Sequence, residues 1–148
     1  MIGERYKQFL ISFIFLLGLF LFPHCDKSKQ QNLIPNVHVN ISLDINSTMY
    51  TGLNVVGGYE YITGGYRGIV VYRMAYDEFV AYDRACPYDH HENSDARVDV
   101  EDNGLTLIDS VCMSRFLLLD GSVVKGPAER PLKSYRTQLD GDNLLIFN

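Results

Sequence analysis

The chain is poor in basic residues and has no basic stripe. Lysine and arginine number 13 against 18 acidic residues, a formal net charge of −5 at pH 7, and no segment interleaves arginines with aromatics. A grip on phosphates needs concentrated positive charge, so nucleic acid is excluded as a partner. Long apolar runs are equally scarce: the one from Phe9 to Phe22, "FLISFIFLLGLFLF", covers 14 residues, short of the roughly 20 that a spanning helix needs. Beyond it no segment carries a sustained helical period with caps. Nothing resembles a nucleophile-and-base pair for hydrolysis, and no glycine-rich phosphate loop opens a helix. An autonomous enzyme is not expected. With 148 residues, the chain has room for one domain, since roughly 100 to 150 residues make a single well-buried core.

What is present begins with the N-terminus. Arg5 and Lys7 precede the apolar run, which ends at Pro23-His24-Cys25, the charged-then-apolar layout of an export signal over residues 1–25. Cys25, followed by the polar "DKSKQQN", resembles the lipid-attachment cysteine of a bacterial lipoprotein. That resemblance implies a membrane partner reached through lipid on Cys25, on the extracytoplasmic side of the cell envelope. An uncleaved anchor and plain secretion are the alternatives, and all three place the domain outside the cytoplasm, where disulfides persist. Residues 26–36, polar and closing on a proline, read as a linker.

From residue 37 to 148 the chain reads as short strands. "VHVNISLDI" (37–45) alternates apolar and polar residues, and "GIVVYRMA" with "EFVAYDR" predicts a hairpin around Tyr76-Asp77. "LTLIDS" is a further strand. Asp120-Gly121 between two apolar runs, and Asp140-Gly141-Asp142 between "LKSYRTQL" and "NLLIFN", predict two more hairpins, because a tight turn needs the positive φ that glycine adopts freely. The Gly- and Tyr-rich segment 50–68 predicts a short helix at "YTGLNVV" before a strand at "YEYIT"; its tyrosines Tyr59, Tyr61 and Tyr66 read as sheet packing. His38, within the first alternating strand, reads as a surface residue. The fold class is all-β, a small antiparallel sandwich or partly open barrel.

From about Tyr72 onward the chain resembles the Rieske iron–sulfur domain. The residues that carry the likeness are Ala81-Tyr82-Asp83-Arg84-Ala85-Cys86-Pro87, Ser114-Arg115-Phe116, Asp120-Gly121, the loop Gly126-Pro127-Ala128, and Pro131-Leu132 with Tyr135. The resemblance implies a cluster-binding-type loop subdomain, a [2Fe–2S] cofactor, a role as electron carrier or accessory protein of an oxidoreductase system, and a redox or envelope protein as partner. It also implies that the Gly126-Pro127-Ala128 loop covers the site and borders the docking surface. Rieske centres hold the cluster with two cysteines and two histidines, supplied as Cys-x-His on one loop and Cys-x-x-His on the other. Here Cys86 is kept, but Tyr88 stands at the first histidine, Asp109 at the second cysteine, Cys112 at the second histidine and Met113 at the following glycine. Shifting the register so that Cys112 is the family cysteine puts Arg115 on the histidine, and a guanidinium has no free lone pair for iron. The segment between the loops, "HENSDARVDVEDN", is longer than usual in the family and acidic.

Three readings of the loop pair follow. In the first, Cys86 and Cys112 form a disulfide in the oxidising envelope, closing a loop at a gain of roughly 3 kcal/mol; the residues favour this one. In the second, a cluster is held by Cys86, Cys112 and ligands drawn from His90, His91 or Asp109, although a carboxylate is a hard partner for sulfide-bridged iron. In the third, the two cysteines and two histidines take one ion such as zinc. Taken alone, His90-His91 read as part of a solvated polar loop.

Overall fold

The computed structural model describes residues 33–148. The export signal expected over 1–25, Cys25 included, and most of the 26–36 linker lie outside the described residues. No helix among the described residues is long and apolar enough to cross a membrane.

Ten strands follow in chain order: β1 (Asn40–Asp44), β2 (Tyr59–Ile62), β3 (Ile69–Arg73), β4 (Phe79–Asp83), β5 (Val98–Val100), β6 (Thr106–Asp109), β7 (Arg115–Leu117), β8 (Val123–Lys125), β9 (Ser134–Asp140) and β10 (Asn143–Phe147). The expected short helix is a single 3₁₀ turn, Thr51–Asn54, whose Leu53 is buried. Pairing is antiparallel throughout, in a six-stranded sheet of order β1-β10-β9-β4-β3-β2 and a four-stranded meander β5-β6-β7-β8. The all-β class read from the sequence is the class observed.

The glycine-turn hairpins form where turn chemistry places them. Gly121 and Gly141 take φ of 72° and 60°, values at which a Cβ would crowd the backbone. One strand escaped the sequence reading. β5 lies inside the acidic segment between the loops, where Val98 and Val100 flank Asp99 and pair with Asp109 and Leu107 of β6; three residues are too few for alternation to stand out.

β3 explains how one sheet serves two cores. Its Ile69, Val70 and Val71 are all buried, and because side chains alternate across a strand, consecutive residues must face opposite ways. Ile69 and Val71 join Leu43, Phe79, Leu144 and Ile146 in the core enclosed by the curled large sheet. Val70, with Tyr82 of β4, joins Val98, Leu107, Phe116 and Leu132 in a second core between the large sheet and the meander. That second core fixes the meander against the large sheet, and so fixes every loop the meander presents.

Residues 33–36 do not hang free. Lys133 Nζ donates to the Pro35 carbonyl at 2.8 Å and to Asn36 Oδ1 at 3.1 Å, and Asn148 Nδ2 donates to Asn36 Oδ1 at 3.0 Å. The chain entering the domain is thus held beside the segment leading into β9.

Candidate metal centre

The meander is inserted between β4 and β9, which are neighbours in the large sheet. The link from β4 to β5 (residues 84–97) and the β6–β7 turn (residues 110–114) are brought together by this arrangement. The first loop is closed at its base by the Ala85↔Arg97 bridge and by Val98 N–H donating to the Arg84 carbonyl at 2.7 Å. Within it, His90 N–H donates to the Cys86 carbonyl at 3.2 Å and Asn93 N–H to the Asp89 carbonyl at 3.0 Å. These turns leave Tyr88 exposed and bury Cys86, Asp89 and His90.

The second loop is a tight turn organised by Asp109. Its Oδ1 accepts the N–H of Val111 at 2.6 Å and of Cys112 at 3.3 Å, its carbonyl accepts Met113 N–H at 2.9 Å, and its own N–H donates to the Ser114 carbonyl at 3.0 Å. Such side-chain-to-backbone bonds are how aspartate specifies a turn. Met113, at the position where the Rieske resemblance expects glycine, takes φ of +64°, a conformation that costs a non-glycine residue about 1 kcal/mol or more.

The two loops meet at four side chains. One donor atom each from Cys86, Asp89, Asp109 and Cys112 lies within 4.8 Å of every other, and the two Sγ atoms are 3.5 Å apart as free thiols. Burial pushes the Cys86 thiol well above its ordinary range; the Tyr88 backbone N–H pulls it down, and Asp109 and Cys112 push it up again. Burial also raises Asp89, with a partly offsetting pull from the neighbouring Cys86 thiol and a further push from the Asp109 charge. A deeply buried thiol of this kind is a poor nucleophile for disulfide exchange. Ser114 Oγ accepts the Ala128 N–H at 2.9 Å and sits 3.1 Å from Cys112 Sγ. It ties the Gly126-Pro127-Ala128 loop, with its cis Gly126-Pro127 bond, to the second cysteine.

The residues singled out in the sequence therefore part company. Cys86, Asp109 and Cys112 converge. His90 is buried rather than solvated, because its Nδ1 lies 2.9 Å from the Cys86 carbonyl and its ring stands edge-on to Tyr66. His91 is exposed and its Nε2 lies 3.4 Å from Glu92 Oε1. Neither histidine belongs to the donor group found among the described residues. Asp89 was not anticipated. The available signal was symmetry of spacing, Cys86-x-x-Asp89 on one loop mirrored by Asp109-x-x-Cys112 on the other.

Comparison with known proteins supports the fold. No family model and no curated protein matches the chain. Among solved structures it is similar to the plasma membrane Rieske protein PetC3 from Synechocystis PCC 6803, at 21% identity and TM-score 0.51, covering 76% of this chain and 100% of that one. It also aligns with the ferredoxin of carbazole 1,9a-dioxygenase from Nocardioides aromaticivorans IC177, at 17% identity and TM-score 0.47, over 76% of this chain and 98% of that one. The likeness to the first establishes a Rieske-like fold.

A [2Fe–2S] cluster of the Rieske kind does not fit the residues present. It takes imidazoles on one iron, and here the four donors are two thiols and two carboxylates. In a two-iron cluster, donors on opposite irons are separated by the iron–iron distance as well, and so span more than donors around one metal. Four donors all within 4.8 Å of one another match the span around a single metal more closely.

Proposed function

We propose that this chain is an accessory module on the extracytoplasmic side of a membrane which keeps the Rieske scaffold but not its cluster, and serves in structure and binding rather than catalysis. The observation that carries this reading is the convergence of Cys86 and Cys112, with Sγ atoms 3.5 Å apart, on two loops from which histidine ligands are missing. The cysteines clamp one loop to the other. The surface this clamp supports is apolar at its tip: Tyr88, Val111 and Met113 are each more than two-fifths exposed, and Gly126 and Pro127 are exposed beside the buried Ala128. An envelope protein that docks on a Rieske-fold partner is the occupant this face suits, since exposed aromatic and methionine side chains are favoured at interface centres.

The test is elemental. The full chain is isolated in detergent without reductant, and iron, acid-labile sulfide and free thiols are counted per chain. No stoichiometric sulfide is expected. Two irons and two sulfides per chain with visible absorption would sink the reading and restore the electron carrier that the fold suggests.

The membrane tether is a separate part of the same proposal. Cys25 follows the apolar run after Pro23 and His24, and lipid on that residue, with the acyl chains contributing about 0.8 kcal/mol per buried methylene, holds the domain at the bilayer. Cys25→Ala is expected to stop lipid labelling of the chain in growing cells and to leave an unprocessed precursor of higher mass. Unchanged labelling and mass would show that the tether lies elsewhere.

A further inference from the structure

We infer that Cys86, Asp89, Asp109 and Cys112 are the four ligands of one tetrahedral divalent ion of the zinc class, held between the two loops. The inference rests on the clusterless reading and names what the clamp contains.

Zinc bonds to thiolate at about 2.3 Å and to carboxylate at about 2.0–2.2 Å, so tetrahedral donors around it stand roughly 3.3 to 3.8 Å from one another. The two sulfurs, 3.5 Å apart, already sit on such an edge, and the remaining donors fall within 4.8 Å of one another. A direct bond between the sulfurs would need them to close to about 2.05 Å. An ion between the loops needs only small adjustments.

Two buried carboxylate oxygens between the loops also lack a partner among the described residues. Asp89 is 6% exposed and Asp109 is fully buried, yet Asp89 Oδ1 and Asp109 Oδ2 have no hydrogen-bond partner among the described residues. A buried carboxylate oxygen left without a partner costs several kcal/mol, which is why buried carboxylates are as a rule paired, bonded or on a metal. Asp109 sharpens the point. Its Oδ1 is committed to two backbone N–H groups of the turn, so the turn is satisfied by one oxygen and leaves the other free.

The donor set selects the ion. Two thiolates disfavour magnesium and calcium, which prefer oxygen alone, and two carboxylates disfavour copper(I); zinc and its close relatives accept sulfur and oxygen together. Binding replaces the two thiol protons, which pass to solvent. Four anionic ligands leave excess negative charge around a divalent ion, and nearby donors offset it. Val111 and Cys112 N–H groups reach Asp109, the Tyr88 N–H reaches Cys86, and Ser114 Oγ, which accepts from Ala128 N–H and from the Cys112 thiol 3.1 Å away, can turn its own proton to that sulfur once the thiol is deprotonated. Four protein ligands close the coordination sphere, which is the character of a structural site.

The experiment uses the full chain in detergent, reduced, stripped with chelator and kept anaerobic, with cobalt(II) and zinc(II) as probes. One cobalt per chain is expected, with sulfur-to-cobalt charge transfer and the intense visible bands of tetrahedral cobalt, displaced by one equivalent of zinc. Asp89→Asn and Asp109→Asn should each weaken binding at least tenfold while keeping the fold, and His91→Ala should bind as the parent does. Cys86→Ser should lose the tetrahedral spectrum; should it fail to fold, the two Asn variants decide. Absence of cobalt bands on fully reduced protein, or Asn variants that bind like the parent, would overturn the site and leave the clusterless module standing. Two irons and two sulfides in the isolated chain would overturn both.

Discussion

Asp83→Ala is expected to lower the unfolding free energy by about 4 kcal/mol and the melting temperature by roughly 15 °C or more. Asp83 is fully buried at the end of β4. Its carboxylate accepts four donors: the N–H groups of Tyr66 at 2.6 Å, Arg67 at 3.1 Å and Ala85 at 2.9 Å, and the Tyr135 hydroxyl at 2.7 Å. Hydrogen bonds to a charged group contribute about 1.5–3 kcal/mol each, and a donor stranded without a partner costs about 1–3 kcal/mol. They are not additive, because water reaches the half-buried donors of residues 66 and 67, and the figure is set below the sum. The glycine-rich turn shows how closely this knot is packed. Gly65 has φ of +63°, and a Cβ there would stand 2.5 Å from Asp83 Oδ2 and 2.6 Å from the Tyr135 hydroxyl.

The same substitution reaches the candidate metal centre through Arg67. Asp83 anchors the Arg67 backbone, and the Arg67 guanidinium donates to the carbonyls of His90, at 2.9 Å, and of Ser94 on the first of the two loops. Asp83 also holds the Ala85 N–H, one residue before Cys86. Asp83→Ala should therefore loosen the Cys86–Cys112 approach as well as the fold. Asp83→Asn, which keeps the shape and part of the accepting capacity, should cost about half as much. Urea denaturation of the three proteins side by side measures the difference. A loss below about 1 kcal/mol in Asp83→Ala would mean that the knot does not organise this end of the domain.

Phe116→Ala should cost about 3–5 kcal/mol, through lost burial and the cavity left behind. Phe116 is fully buried on β7 and, among the described residues, is the largest of the side chains wholly removed from solvent. It packs in the core between the large sheet and the meander, against residues such as Leu107, Val98 and Leu132. That core contains Cys86 and is bordered by Cys112, so the cavity opens beside the candidate site. Phe116→Leu should recover more than half of the loss. The urea midpoint should fall with little change in slope, since the surface exposed on unfolding hardly alters. A midpoint within a few tenths molar of the parent would show that the meander is held by something other than this core.

Particular residues show how far the sequence could be read. The Asp120-Gly121 and Asp140-Gly141 turns were legible because turn chemistry is local: positive φ is required at one residue, and glycine marks it. β3 and β4 were legible for a similar reason, since β-branched and aromatic residues declare a strand within five positions. β5 was not. Its three residues acquire strand geometry only by pairing with β6, and pairing is information the segment itself does not contain. Cys86, Asp109 and Cys112 were picked out because they occupy positions where the Rieske pattern expects ligands. Asp89 lies one residue past such a position, and the turn from Cys86 to His90 buries it while leaving Tyr88 to solvent. The same turn buries His90, which reads as solvated in a string of polar neighbours.

The sequence by itself determined the all-β class, the strands and hairpins that local patterning can encode, and the chemical oddity of two ligand loops without histidine ligands in register. Only the tertiary structure decided which side chains meet between those loops. Cys86 and Asp89 are 20 or more residues from Asp109 and Cys112 along the chain, and nothing in either loop specifies the other. Their convergence depends on Val70, Tyr82 and Phe116 packing the meander onto the large sheet. It depends also on two backbone turns that choose which residue of each loop faces inward, and such choices are made by hydrogen bonds across the fold rather than by residue order.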